Sequence, residues 1–514
     1  MHKVKINQYI FLLIALILVY LILGTGLHGD DPAVISTMQQ YSLKEFFSKP
    51  VDLSIFGITG YYLYWWPYSV FGYEYQFAYD VIKVIAHIVS IFFVYKFSRY
   101  YLPDDRAFIA SVIFVLYPLH DATTYWYMTF SYVLIPAILL YSHHLIRENK
   151  SIKGFLVLIM GTFASYGTPP YIFGLATIFF FEKKFKKAII FIVPGLLYVA
   201  YYFWIKFNYV GVERRINPDL SALDFLKQVL MQFLSFVDSI LGPSYWLKVF
   251  YAIESIGIIS VIIVSLMSFF AFINVEKISK APAVHKALLV GLASVLILSF
   301  GMYALTGLYS HSAFNLGNRS TVYMSLLIAF LLALLLPANN KSLIFLLIIF
   351  LVPVFGLSDH WKDWNENQKN VIENIKNNQD LKEIESDATL VVVGNIYSKL
   401  GSFSHIEFFS MPWNVNAIFR DSAKTKNIVA LAPYVVAESD YILDTKSGAK
   451  YSLKKNIYVY DSEKNLVKLI SAKEVPDLIK QQPEIVRHWV QLFEDTWVQG
   501  VIVWLSPRLV YLFK

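Results

Sequence analysis

Apolar stretches of about 18 residues or more, nearly free of charge, recur along residues 1–358. That length as a helix crosses the hydrocarbon core of a bilayer. The chain's 514 residues are 57% hydrophobic and only 16% charged, where soluble domains carry about 25% charge. The chain therefore reads as a polytopic α-helical membrane protein. Its first apolar run, "YIFLLIALILVYLILGTGL", follows the basic lead "MHKVK". This looks like a signal peptide but lacks a small-x-small cleavage site before the polar loop, so a retained helix is expected.

The expected spans are 8–27, 77–97, 104–119, 124–146, a broken pair at 153–167 and 169–182, then 187–207, 250–273, 284–307, 320–336 and 342–357. Between them lie "KFSR", "RENKSIK", "EKKFKK" and "VEKISKAPAVHK". With a cytoplasmic N-terminus, all these basic loops fall inside, which predicts about eleven crossings with the C-terminal part outside. The net charge of +7 is thus a topology signal and not a nucleic-acid one. The broken pair around "ASYGTPPYIFG" is either a short hairpin or a re-entrant segment, since both its flanks are basic.

The external segments differ in kind. Residues 28–75 are aromatic-rich ("GYYLYWWPYSVFGYEYQF"), which suits short helices at the membrane interface. Residues 208–249 contain "LDFLKQVLMQFLSFVDSIL", whose helical spacing reads as an interfacial amphipathic helix. After 358 the composition turns polar. Residues 359–514 are expected to form a water-exposed α/β domain, with strands at "ATLVVVGN" and "NIYVYDSEKNLVKLIS". The final "WVQGVIVWLSPRLVYLF" reads as a strand or an interfacial segment. There is no Cys, which excludes disulfides, thiolate metal sites and a Cys nucleophile.

On the expected outer face, ionisable residues gather. "LHGDDPAVIS" brings His28, Asp30 and Asp31, with Glu74 and Asp80 further on. "YPLHDATTYWY" brings His120 and Asp121, and residues 213–215 bring Glu213, Arg214 and Arg215. "YSHSAFNLGNRSTVY" brings His311, Asn315, Asn318 and Arg319.

A long first span, an outer loop opening on paired carboxylates, interfacial helices and a many-span bundle together resemble the GT-C superfamily of integral-membrane glycosyltransferases. The likeness covers residues 1–358 and is nearest to bacterial mannosyl- and aminoarabinosyl-transferases. It implies transfer of a sugar from a polyprenyl-phosphate donor to an envelope glycan, lipid or protein acceptor, outside the inner (plasma) membrane. It also implies a base at Asp30 or Asp31. His120 and Asp121 match a second acidic loop used for metal or acceptor contacts, so a divalent metal is an option.

The chemistry agrees with that layout. Inverting transfer needs a carboxylate to take a proton from the attacking hydroxyl. The departing lipid phosphate needs a cation, for which Arg319 is the candidate, with His311 nearby in sequence. Bland readings stand beside these. Asp30–Asp31–Pro32 also suits a helix start, with Asp31 the better capping candidate because it precedes Pro. His120–Asp121 also fits a plain interhelical turn, His311 an interfacial histidine, and Arg319 a snorkelling side chain. His87, within a span, suits a buried hydrogen bond. Arg214 and Arg215 suit lipid headgroups. A lipid-linked oligosaccharide flippase is the main alternative class, yet a flippase lines its cavity with charges from many spans. An envelope-polysaccharide polymerase or ligase would carry its dominant Arg-bearing loop late in the bundle.

Overall fold

The computed structural model describes residues 8–482, except 41, 43, 46–57, 209–215, 217–219, 275–277, 307–311 and 446, together with 497, 500, 501 and 504. His311, Glu213, Arg214 and Arg215 lie outside the described residues, as does most of the final apolar segment.

The chain is mostly helical. Helix α1 (Gln8–Ile22) leads through a turn to the short α2 (Asp31–Met38). Then come α3 (Gln76–Ser98), α4 (Asp104–Val115), α5 (Ser131–Arg147), α6 (Ser151–Thr162), α7 (Pro169–Phe181) and α8 (Phe185–Asn208). The bundle continues with α9 (Ala222–Ile240), α10 (Pro243–Glu254), α11 (Ile258–Asn274), α12 (Lys286–Thr306), α13 (Val322–Leu335) and α14 (Asn340–Asn377). Among the described residues, six helical stretches are long and apolar enough to cross a membrane, seven at most if a bent pair counts as one span, and four shorter apolar helices accompany them. This is a multi-pass membrane protein. The spans expected at 77–97, 187–207, 284–307 and 320–336 coincide with α3, α8, α12 and α13 to within a few residues.

The basic loops meet at one end of the bundle. Arg147 pairs with Glu182 at 2.5 Å, and Lys184 reaches the same carboxylate at 2.8 Å. Lys187 donates to the Arg147 carbonyl, and buried Arg106 donates to the carbonyls of Ser279, Ala333 and Leu336. Loops far apart in sequence but alike in charge are thus neighbours in space.

The broken pair resolves into a hairpin. The Arg147–Glu182 contact ties the start of α6 and the end of α7 at the basic end. The tip reaches the opposite end, where Tyr64 Oη donates to the Ala164 carbonyl. Pro169 and Pro170 open α7, where a missing N–H costs nothing. The Thr168 hydroxyl holds the tip by donating to the carbonyls of Thr162 and Ser165.

The segment 208–249 holds the amphipathic helix expected there. Helix α9 turns Gln232, Ser235, Asp238 and Ser239 inward and Leu223, Leu226, Leu230, Phe233 and Val237 outward. An apolar stripe facing out suits lipid, and its polar face packs on the protein. Helices α9 and α10 meet at a 40° bend. The cause is local: Gly242 is extended and Pro243 begins the new helix. The span expected at 250–273 accordingly starts later, with α11 at Ile258.

Helix α14 runs for 38 residues straight through position 358. A rigid helix therefore stands where the composition marks a domain boundary. Beyond it come β1 (Thr389–Val393), β2 (Tyr397–Leu400), β3 (Phe403–Glu407) and α15 (Pro412–Phe419). They are followed by β4 (Asn427–Ala430), β5 (Val435–Ala437), β6 (Tyr441–Asp444), β7 (Lys450–Ser452), β8 (Ile457–Asp461) and β9 (Leu466–Ile470). The main sheet has the order β4-β1-β8-β9, with β1 parallel to both β4 and β8. Val392, Ile375, Phe419 and Tyr460 help build its core. The β2–β3 hairpin and α15 reach back to the membrane bundle.

Candidate active site

The turn after α1 is held from several sides. Gly24, Gly26 and Gly29 have positive φ, a conformation glycine adopts without steric cost. Asp80 accepts from the backbone N–H groups of Gly24 (2.8 Å) and Gly26 (3.0 Å). Buried Lys83 pairs with Asp80 at 2.9 Å and donates to Thr25 Oγ1, the Gly26 carbonyl and the Tyr125 carbonyl. At Gly29 a Cβ would come within 2.8 Å of Leu316 and Trp126. Asp80, at the outer edge by sequence, is thus the anchor of the turn and is buried.

The adjacent carboxylates part company at that turn. Asp31 is fully buried. It accepts from Tyr68 Oη and from the His28 N–H at 2.8 Å. Burial pushes its carboxyl up to about 7, although the Tyr68 hydrogen bond opposes this. The capping role expected of Asp31 is corrected here: its carboxylate faces Tyr68 and the preceding turn, and it is the first helical residue. Asp30 holds the N-cap position and makes no side-chain cap. Its Oδ1 accepts from Trp413 Nε1 (2.7 Å) and Asn414 Nδ2 (3.3 Å), both from the C-terminal domain. Oδ2 of Asp30 accepts no hydrogen bond among the described residues.

Asp30 lines a cavity of about 460 Å³, and so does Arg319. Tyr64, Trp65, Trp126, Tyr132, Tyr166 and Trp413 supply aromatic walls. Arg319 sits on a 3-10 turn, Leu316–Thr321, that Asn315 opens with a positive φ and a side-chain bond to the Gly317 N–H. Its guanidinium donates to the Leu316 carbonyl and stands 5.7 Å from the Trp126 ring centre. The Trp126 Nε1–H is buried without a partner among the described residues. A second cavity, of about 420 Å³, runs between α7, α8 and α12. Its lining is dominated by side chains such as Phe173, Tyr198, Phe203, Ile297 and Leu305, and Tyr166 is common to both walls.

His120 and Asp121 do not line the Asp30 cavity, which corrects their expected place in it. His120 Nε2 faces the Phe114 carbonyl and Nδ1 the Thr123 hydroxyl. Asp121 is the hub of a buried network. It receives Lys248 Nζ, Asn318 Nδ2 (2.5 Å), Trp361 Nε1 (2.7 Å) and His405 Nε2 (2.8 Å). Burial holds the His405 imidazole below its ordinary value against the pull of Asp121. Its Nε2 faces Asp121, and its Nδ1 has no partner among the described residues. A carboxylate with this many donors is a joint rather than a ligand in waiting. Asn318 also accepts from the Ala122 N–H at 3.1 Å. The joint therefore fixes the turn that carries Arg319. His87, as expected of a span histidine, bonds within the bundle, to the Lys83 carbonyl.

Among the described residues a divalent metal finds no ready seat. Among the described residues no three His, Asp or Glu side chains are grouped to hold one, and Asp31 is turned away into the core. Trp126, Lys248, Trp361, His405, Trp413 and Asn414 were not candidates from the sequence. Their only sequence signal is local: a lone Lys in "YWLKVFYAI", and Trp side chains in the polar "DHWKDW" and near "SMPWN".

Fold and site together define a multi-pass membrane protein with a carboxylate–guanidinium cavity, bordered by Trp413 of its C-terminal domain, beside an apolar groove. No protein-family model matches the chain, and no curated protein matches it. The chain is similar to the solved structure of ArnT from Cupriavidus metallidurans bound to undecaprenyl phosphate, with 10% identity, 94% of this chain and 96% of that chain covered, and a TM-score of 0.43. It is also similar to the Archaeoglobus fulgidus oligosaccharyltransferase in the apo form, at 12% identity, with 84% of this chain covered and a TM-score of 0.39. The chain spans 65% of that protein's length. Values this low describe a likeness of layout only.

Proposed function

We propose that this protein transfers a sugar from a polyprenyl-phosphate donor to an acceptor hydroxyl on the extracytoplasmic face of the inner (plasma) membrane. The observation that carries this reading is the pairing of Asp30 and Arg319 on one cavity whose wall, at Tyr166, is shared with an apolar groove. Asp30 Oδ2 takes the proton of the attacking hydroxyl. The new bond forms at the anomeric carbon. The sugar–phosphate C–O bond breaks, and its electron pair leaves with the lipid phosphate. Arg319 and the Trp126 N–H meet the charge that grows there, as preorganised donors do. The prenyl chain lies in the groove.

The donor half of this reading is tested by giving the purified protein a radiolabelled polyprenyl-phosphate sugar. Arg319→Ala should raise the donor KM by roughly 10- to 100-fold, the scale of a lost charge-assisted hydrogen bond. Arg319→Lys should recover only part, since an ammonium lacks the planar fork. A donor KM unchanged in Arg319→Ala would remove the guanidinium from the phosphate site.

The sidedness has its own check. The basic loops meet at the end away from Asp30, so that end belongs in the cytoplasm. A reporter fused after Lys186 should read cytoplasmic, and one fused after Lys376 external. The same side for both would sink this topology.

A further inference from the structure

We infer that strand β3 of the C-terminal domain is a brace that holds the Asp30 turn and the Arg319 turn at a fixed spacing, with His405 as the positioning residue at its centre. The inference rests on the transferase reading above and adds the element that sets the geometry of its site.

The β2–β3 hairpin pairs antiparallel and stands apart from the main sheet. Its Leu400 and Ile406 are fully buried in the core of the membrane bundle, not in the cores of their own domain. Gly401, with positive φ, lets the hairpin tip lie against α10, where a Cβ would come within 2.4 Å of the Tyr251 ring. On the other side, His360 Nε2 of α14 lies 3.0 Å from the Ser398 hydroxyl, and the same oxygen accepts from the Ile406 N–H at 2.9 Å. The hairpin is thus seated in the bundle before it meets the site.

Strand β3 then touches both turns. Phe403 and His405 are two residues apart, so their side chains share one face of the strand. Phe403 stacks on Phe314, with ring centres 4.4 Å apart, beside the Asn315 that opens the Arg319 turn. The buried His405 places Nε2 2.8 Å from Asp121, which also receives Asn318 Nδ2. Asn318 directly precedes Arg319. Two residues beyond His405, the Glu407 carbonyl accepts from the Gly29 N–H at 3.3 Å. Gly29 directly precedes Asp30. An extended strand rises about 3.3 Å per residue and has little length left to gain. It therefore sets the distance between the two turns. A base and a phosphate clamp must reach the same donor, and a misplacement of about 1 Å can cost rate heavily.

The test compares full-length wild type, His405→Leu, His405→Gln and Phe403→Ala in nanodiscs. Hydrogen–deuterium exchange reads the brace itself. In His405→Leu and Phe403→Ala, exchange at 27–31 and at 313–321 should quicken by roughly 10-fold, the scale of one lost buried hydrogen bond. Exchange in β1 and β8 should stay as in wild type. His405→Gln keeps an N–H donor for Asp121 and should largely restore wild-type exchange. Donor KM reads the consequence. It should rise roughly 3- to 30-fold in His405→Leu, the range of coupling through packed networks. Arg319→Ala should then cost much less in that background than in wild type, because a displaced guanidinium has less to lose. A change that only destabilises the fold would leave the cost of Arg319→Ala the same. Unchanged exchange at either turn, or additive KM effects of His405→Leu and Arg319→Ala, would overturn the inference. Failure of wild type to use a polyprenyl-phosphate sugar would overturn the transferase reading instead, and the exchange result would still decide the brace.

Discussion

Asp30→Asn is expected to lower sugar transfer by about 10²–10⁴-fold, the usual cost of losing a general base, with an unchanged thermal unfolding midpoint. The amide keeps the volume of the carboxyl group and keeps an oxygen for Trp413 and Asn414, whose bonds both fall on Oδ1. Only the ability to take a proton is lost. Asp31→Asn should behave in the opposite way. Asp31 accepts through both oxygens, from Tyr68 Oη and from the His28 N–H. An amide sets one N–H against a donor, which costs about 1–3 kcal/mol of stability for an unsatisfied buried group. Comparing transfer rates and melting curves of the two variants separates the roles. If both keep near-normal transfer, neither carboxylate is the base and the proposed chemistry falls.

Lys248→Met should be the most destabilising single change near the site. Lys248 and Asp121 are both buried, and the lysine also donates to the Ala313 carbonyl. Removing the lysine leaves Asp121 with Asn318, Trp361 and His405 but without its buried ammonium partner. Breaking a buried pair in this way costs about 3–5 kcal/mol. The double variant Asp121→Asn with Lys248→Met removes both charges and should recover most of that loss, which a double-mutant cycle of thermal unfolding measures. Additive losses would show that the two residues do not act as a pair. The turn bearing Arg319 shares Asn318 with this joint. The single variant should therefore also weaken donor binding at temperatures where the protein remains folded.

Much of the helical layout was legible from patterning alone. Apolar length marked α3, α8, α12 and α13, because a span must be long and uncharged whatever it packs against. The loops that meet around Glu182 and Arg106 were legible as one class through their charge. Helix α9 was legible as amphipathic from its spacing, but spacing alone does not say which surface its stripe meets, and here Leu226 and Leu230 face out. The paired carboxylates stood out because charge is rare in this chain, and Arg319 stood out in its short polar loop.

Which carboxylate faces a cavity is a different kind of fact. Asp30 and Asp31 are neighbours in sequence, and only Tyr68 and Trp413, at long separations, send one inward and leave the other on the cavity wall. Asp121 carried the same sequence signal as Asp30. Lys248, Trp361 and His405, brought from distant elements, turn it into a buried joint. Spacing records what a residue does along its own helix or turn. Partners separated by hundreds of residues leave no period to read, so the sequence determined the membrane-crossing pattern and the charged candidates, and the packing of the C-terminal domain onto the bundle decided which of them share a site.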